Sequence, residues 1–387
     1  MTSDIYDLAL KAHRHSDVDV QQLIRQQQGQ QLAEQKLPLW AATEGIEYPH
    51  HLSLEQCSSQ LTASYKASLV NDNLNANDNR HSMTDLTGGF GVDAAIMGRL
   101  FTKLTFVEKD AELCRLARHN LPLLGVNQVE VVNSDCQDYL PTLPHQNLIF
   151  IDPARRDKNG CRTFAISDCT PDVSALNRLL LDKADCVMIK LSPMLDITAA
   201  LRQLQGVTQV HIVSVQGECK EILVLLNDND NENENSPLMV CVDITREGIQ
   251  RFCFTREEEH LAQCTYTPEV GAYLYEPNAS LMKASPFRSL AQHFHLQKLH
   301  PNSHLYTSME WIPDFPGRQF RVEDVLPFNK QATKQISQLR QANISVRNFP
   351  ATVADLRKRF HLTDGGDTYL FVTTLADNRR VVILCKK

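Results

Sequence analysis

No stretch of the chain approaches the roughly 18 consecutive apolar residues that a membrane span requires, although apolar residues make up 42% of its 387 positions. A membrane-spanning protein is therefore not expected. The opening MTSDIYDLALKAHRHSD has acidic residues early and no apolar core followed by small residues. It does not read as a secretory signal, and a cytoplasmic location is expected. Paired cysteines are missing as well. The 11 cysteines are scattered singly without a CxxC, which speaks against a disulfide framework and against a structural zinc site. His293, His295, His300 and His304 lie close in sequence but have no acidic or cysteine partner at ligand spacing, so no metal is expected.

What the chain does have is an uneven charge. The net charge is -7, yet residues 318–387 hold 13 Lys/Arg against 6 Asp/Glu, so a basic tail follows an acidic remainder. Clustered basic residues displace counterions from phosphates, which points the tail toward a polyanion. A solvated basic surface is the alternative. The length is about twice that of a typical single domain, so two or three compact units are expected.

Residues 1–65 contain a glutamine-rich stretch with apolar residues at helical spacing and no alternating pattern, and read as a helical N-terminal unit. Short apolar runs then alternate with amphipathic segments, the signature of βα units around a parallel sheet. Strands are predicted at MTDL (from 83), LTFVEK (104), VEVVNS (129), LIFID (148) and CVMIKL (186). QVHIVSV (209) and EILVLLN (221) are separated only by QGECK, too short for a crossover helix, so they should pair antiparallel. The acidic run 227–236 reads as a loop without a core. Two further strands, LMVCVDI and IQRFCFT, complete a segment 66–256; 257–317 follows as a linker module with a helical ASLMKASPFRSLAQHFHL, and 318–387 reads strand, helix, strand, helix, strand, strand.

DLTGGFGVDA, from Asp85 to Ala94, sits where a strand ends and a helix begins, and its glycines let the backbone approach a ligand that any Cβ would exclude. GFGVDA also satisfies the dinucleotide fingerprint, so a nicotinamide or flavin oxidoreductase stands beside a methyltransferase at this point. Glu108 closes the next strand, where a carboxylate can accept from ribose hydroxyls in either class. Asp135 follows the third strand, within reach of an adenine amine. An Asp-Pro pair, Asp152 and Pro153, closes the fourth, in the crevice where open α/β sheets place ligands. These last two, with the antiparallel hairpin, favour the methyltransferase.

Asp85, Thr87, Gly89, Gly91, Glu108, Asp135 and the tetrapeptide from Asp152 to Arg155 resemble the class I S-adenosylmethionine-dependent methyltransferase series over residues 66–256. The whole chain resembles the bacterial methyltransferase family with a THUMP-like C-terminal domain, through EQCSSQLTASYK (55–66), DPARR, GECKEIL, LYEPNASLMKA and HLYTS. The resemblance implies a helical N-terminal unit, a Rossmann-like methyltransferase domain, a ferredoxin-like linker module and a THUMP-like domain related to modules that capture tRNA or rRNA. It implies S-adenosylmethionine as cofactor, with Glu55, Gln56 and Lys66 as a lid beside its pocket; a surface-helix role is the plainer alternative for these three.

Methyl transfer from a sulfonium needs mainly alignment. Asp152 and Pro153 match a DPPY-like pattern in which a carboxylate and a carbonyl hold an amino group. Ala154 and Arg155 depart from it, so a guanidinium would replace the stacking aromatic. The exocyclic amine of guanine is the leading target. Carbon methylation is less favoured, because Ser192 stands where a nucleophilic cysteine would be and Cys161 and Cys169 read as ordinary cysteines. In the tail, Arg357, Lys358 and Arg359 fan across more than one face of a helix, leaving at least one for RNA phosphate. A noncatalytic RNA-binding protein and a protein methyltransferase are the competing readings.

Overall fold

A computed structural model describes residues 17–74, 80–154, 165–227 and 236–387. The chain forms two compact units, one of residues 1–210 and 221–233 and the other of residues 211–220 and 234–387. Among the described residues no helix is long and apolar enough to cross a membrane.

Among the described residues the first unit opens with four helices, α1 (Asp17–Lys36), α2 (Pro38–Ala42), α3 (His51–Gln56) and α4 (Gln60–Asn73). The alternation that follows gives β1 (Ser82–Asp85), α5 (Val92–Met97), β2 (Lys103–Glu108), α6 (Ala111–Leu123), β3 (Val129–Asn133), α7 (Cys136–Tyr139), β4 (Gln146–Ile151), α8 (Val173–Asp182), β5 (Ala184–Leu191) and α9 (Ile197–Leu201). Then come β6 (Val207–Val215) and β7 (Glu218–Leu226), followed by β8 (Leu238–Ile244) and β9 (Ile249–Phe254), whose residues belong to the second unit. The sheet order is β3-β2-β1-β4-β5-β7-β6-β8-β9. The first five strands pair in parallel, and β7 runs antiparallel to β5. The central strands are apolar on both faces because helices cover both: Leu148, Ile149, Phe150 and Ile151 of β4 are all buried.

The hairpin predicted from QGECK is tighter than its sequence suggests. Gln216 and Gly217 both take positive φ, 51° and 83°, the geometry of a two-residue type I′ turn, so β7 starts at Glu218. The predicted strands after the acidic run extend the same sheet, with β8 and β9 pairing antiparallel.

The 65/66 boundary falls inside α4, whose buried face includes Thr62, Ala63, Tyr65, Lys66, Leu69 and Val70 and packs on α5. The N-terminal helices thus belong to the same compact unit as β1 to β5. Trp40 is fully buried, with its ring centroid 6.5 Å from that of Phe90 in the glycine-rich turn; Tyr48 lies 6.2 Å from the same ring. Asn120 of α6 grips the backbone of Glu47 through both its amide atoms.

In the second unit, α10 (Arg256–Leu261), β10 (Tyr273–Pro277), α11 (Ala279–Ala284), α12 (Phe287–His293), β11 (Gln297–Lys298) and β12 (Tyr306–Ser308) precede β13 (Gly317–Pro327), α13 (Lys330–Ile336), β14 (Asn343–Arg347), α14 (Val353–Phe360), β15 (Thr368–Thr374) and β16 (Arg380–Lys386). The helical stretch near 280 is two helices, because Ser285 turns left-handed (φ 65°) and Pro286 cannot continue the first. The linker and tail share one sheet, β11-β12-β10-β13-β16-β15-β14. Buried Glu276 of β10 fastens them: its two oxygens receive the guanidiniums of Arg318 and Arg347.

Candidate cofactor-binding site

β1 ends at Asp85 between β2 and β4, in register with Phe106 and Phe150, and the carboxyl is buried. The chain then turns sharply into α5. A Cβ on Gly88 would come within 2.2 Å of the Phe106 ring, so only glycine fits. Gly89 and Gly91 have φ of +56° and +81°, and beside Gly89 an added Cβ would meet nothing closer than a backbone oxygen at 3.9 Å. The turn is closed against the sheet at Gly88 and open at Gly89.

Hydrogen bonds tie this turn to the ends of the neighbouring strands. Thr87 N donates to Asp85 Oδ1 (3.0 Å), Gly89 N to Glu108 Oε2 (2.9 Å), and Asp110 N to Glu108 Oε1 (2.8 Å). Asp152 N donates to Thr87 Oγ1 at 2.7 Å. Asp135 caps α7 by accepting from Gln137 N at 2.9 Å. Asp85, Glu108, Asp135 and Asp152 therefore stand at the C-terminal ends of four adjacent strands, the edge where open α/β sheets bind ligands. Pro153 is buried, and exposed Ala154 bridges Thr170 through paired backbone hydrogen bonds. Arg155 and Cys161 lie outside the described residues.

Two lysines neutralise part of this acidic edge. Lys66 is fully buried: its Nζ lies 2.8 and 2.9 Å from the Glu221 oxygens, 3.0 Å from Asp93 Oδ1 and 3.1 Å from Ser58 Oγ. It is thus not a surface-helix residue. Gln56 and Glu55 are exposed at the end of α3, where the backbone oxygens of Leu54 and Glu55 accept from Lys36. Lys190, on β5, pairs with Asp152 Oδ2, and sequence reasoning missed it. The available signal was a lysine interrupting the apolar run CVMIKL at the C-terminal end of a buried strand.

The protonation equilibria follow from this crowding. Burial chiefly, and then the charges of Asp93, Asp152 and Glu108, push the Asp85 carboxyl well above the usual range against the opposing Thr87 N–H. Burial alone would lower Lys190, but Asp152, Glu221 and Asp93 outweigh it and hold the ammonium protonated.

In the tail, Arg357 is paired with Asp364 and Arg359 lies 4.2 Å over the Phe328 ring; exposed Lys358 has no ion pair among the described residues. The histidines serve packing and capping: His304 stacks on Phe287 with centroids 3.6 Å apart, and His300 Nδ1 accepts from Asn302 N. Among the described residues, no group of three or more His, Cys, Asp or Glu could hold a metal ion.

A ferredoxin-like domain model matches residues 273–316, and a THUMP domain-like model matches residues 317–387. A solved structure from Porphyromonas gingivalis W83, described as a candidate methyltransferase, is 36% identical over 97% of this chain and 92% of that one, with a TM-score of 0.88. The chain belongs to the class I S-adenosylmethionine-dependent methyltransferase family that carries a C-terminal THUMP-like domain. The α/β architecture expected for this family is the one observed, with a large, mainly parallel sheet in front and the ferredoxin-like and THUMP-like parts behind it in sequence. More distant structures include an Escherichia coli protein described as a candidate methyltransferase (15% identity, 45% of this chain and 90% of that one, TM-score 0.33). Another is an rRNA methylase of Streptococcus thermophilus (16%, 43% and 94%, TM-score 0.31). No curated protein matches the chain.

The residues fit the cofactor that this family implies. The open space beside Gly89 admits a group that a Cβ would exclude, and among the described residues the buried Asp85 carboxyl has one N–H partner. Glu108 uses one lone pair of Oε2 on Gly89 N and one of Oε1 on Asp110 N, leaving acceptor capacity for hydroxyls.

Proposed function

We propose that the protein is an S-adenosylmethionine-dependent methyltransferase that modifies a nucleotide of tRNA or rRNA, with the exocyclic amine of guanine as its target. The observation that carries the cofactor reading is the charge of the crease. Asp85, Asp93, Glu108, Asp152 and Glu221 are offset by two lysines, Lys66 and Lys190. A sulfonium cofactor with an ammonium suits an anion-rich crease, whereas a dinucleotide's diphosphate would face carboxylates on three strand ends.

When bound, S-adenosylmethionine supplies an activated methyl group. Asp85 and the turn from Thr87 to Gly91 would hold its amino-acid and ribose portions, Glu108 the ribose hydroxyls and Asp135 the adenine amine, with Gln56 at the rim and Lys66 fixing α4 beneath it. The catalytic set is Asp152, Pro153 and Arg155. Asp152 has one oxygen committed to Lys190, while the other carries no hydrogen bond among the described residues. That oxygen accepts from the acceptor's N–H, and its charge stabilises the positive charge that grows on nitrogen as it alkylates. Lys190 keeps the carboxylate aimed. Arg155 supplies the guanidinium plane for the base that the missing aromatic would otherwise provide.

The test is transfer of a labelled methyl group to total tRNA and rRNA, followed by nucleoside digestion. Labelled N2-methylguanosine, lost in Asp152→Ala, is the expected result. Label on protein alone would replace the RNA reading, and bound cofactor without any transfer would favour the noncatalytic reading that Ala154 suggests.

A further inference from the structure

The cations of the THUMP-like domain fall into two sets. Six of the 13 hold carboxylates, from Arg318 on Glu276 to Lys386 on Glu323. Among the rest, Lys330, Lys334, Lys358, Arg359 and Arg380 are all exposed and have no carboxylate partner among the described residues. Two of these guanidiniums rest on aromatic rings. Arg359 lies 4.2 Å above the centroid of Phe328, with its Nε 3.4 Å from Thr333 Oγ1, and Arg380 lies 5.7 Å from the centroid of Phe349.

The two rings meet edge to face at 4.7 Å, and Phe328 N donates to the backbone oxygen of Arg380 at 2.9 Å, so both Arg–Phe pairs belong to one rigid patch. Lys330 and Lys334, one helical turn apart on α13, flank it beside Thr333. Asp355, the acidic residue in the first turn of α14, is occupied in a capping box with Thr352 and does not neutralise the patch.

A guanidinium backed by a ring is held flat with its outer face open, and such a plane accepts a nucleobase. Duplex RNA keeps its bases stacked and offers only phosphates and groove edges, so planes of this kind select unpaired nucleotides. We propose that Arg359 and Arg380, backed by Phe328 and Phe349, form a stacking site for unpaired bases of RNA, with Lys330 and Lys334 holding the adjoining phosphates. This rests on the RNA reading above, and it moves the contact away from Arg357, whose charge is already paired.

The test uses the full chain and fluorescence anisotropy with a short labelled oligoribonucleotide, single-stranded and annealed to its complement. The single strand is expected to bind more tightly, and Arg359→Ala/Arg380→Ala to weaken it by about tenfold or more. Arg359→Lys/Arg380→Lys, which keeps the charge without the plane, should lose most of that binding. Lys330→Ala/Lys334→Ala should flatten the salt dependence by roughly 0.7 per lost phosphate contact. Unfolding midpoints check that each variant is folded, and the lysine pair decides if the alanine pair is not. Wild-type affinity in the lysine variant, equal affinity for the duplex, or equal affinity for polyglutamate would overturn the proposal while leaving RNA binding intact as a separate question. Wild-type protein that binds no RNA at any salt concentration would overturn both.

Discussion

Lys66 and Lys358 have the same side chain and opposite surroundings. Lys66 has no exposed surface and ion-pairs with Asp93 and Glu221, while Lys358 is exposed and has no ion pair among the described residues. The difference runs through the two units. In the first, Lys66 and Lys190 are paired with the carboxylates of an anion-rich crease; in the tail, cations without an ion pair among the described residues face outward. Buried ions must be matched because desolvation costs several kcal/mol per ion, whereas a surface cation costs little and stays available to a polyanion.

The comparison breaks most visibly at Lys66. Lys66→Met should destabilise the protein by about 3–5 kcal/mol, since it strands two buried carboxylates, and Lys358→Met should change it by less than about 0.5 kcal/mol. Chemical denaturation of the two variants measures both. Near-equal effects would mean that the buried cluster contributes little to folding.

Asp85 gives the next effect. Its carboxyl is raised in the free protein, chiefly by burial, so placing a cation beside it favours ionisation. Cofactor binding should then release a proton where the pH lies between the bound and the free values of this carboxyl, and affinity should rise with pH across that window. Calorimetry in buffers of different ionisation enthalpy should show that release in wild type and none in Asp85→Asn, whose affinity should also be lower and independent of pH.

At Lys190 the expected change is in turnover. Lys190→Met removes the cation that holds Asp152 Oδ2 in place, so methyl transfer should fall markedly while cofactor affinity changes little. Lys190→Arg should restore part of the transfer. Turnover unchanged in Lys190→Met would separate Lys190 from the chemistry.

The smallest effect belongs to His304. Burial, then Lys298 and Arg347, lower it to about 4. Its folded value lies below the unfolded one, so the neutral ring stabilises the fold at neutral pH, and this contribution fades as pH falls from about 6.5 toward 4. His304→Phe should lessen the acid sensitivity of the second unit's unfolding midpoint.

The sheet was readable because β1 to β5 are short apolar runs and the turn after Asp85 needs glycine, and both signals are local. The tail's order was equally local, with capping residues such as Asn329 and Thr352 marking its helices. The charge network was not. Lys66 in a helix reads as a surface residue until Glu221, 155 positions away, is brought to it. Lys190 gains meaning only because β5 lies beside β4 and so beside Asp152. The pairing of β10 with β13 across the 317/318 boundary was hidden for a similar reason, since it joins residues distant in sequence.

The measurement that tests the account most directly is calorimetric titration of the full chain with S-adenosylmethionine and, separately, NADH, for wild type and Asp85→Ala. The crease described above should bind S-adenosylmethionine, lose it in the variant and leave NADH unbound. NADH binding that S-adenosylmethionine does not displace, or S-adenosylmethionine binding indifferent to Asp85, would contradict it.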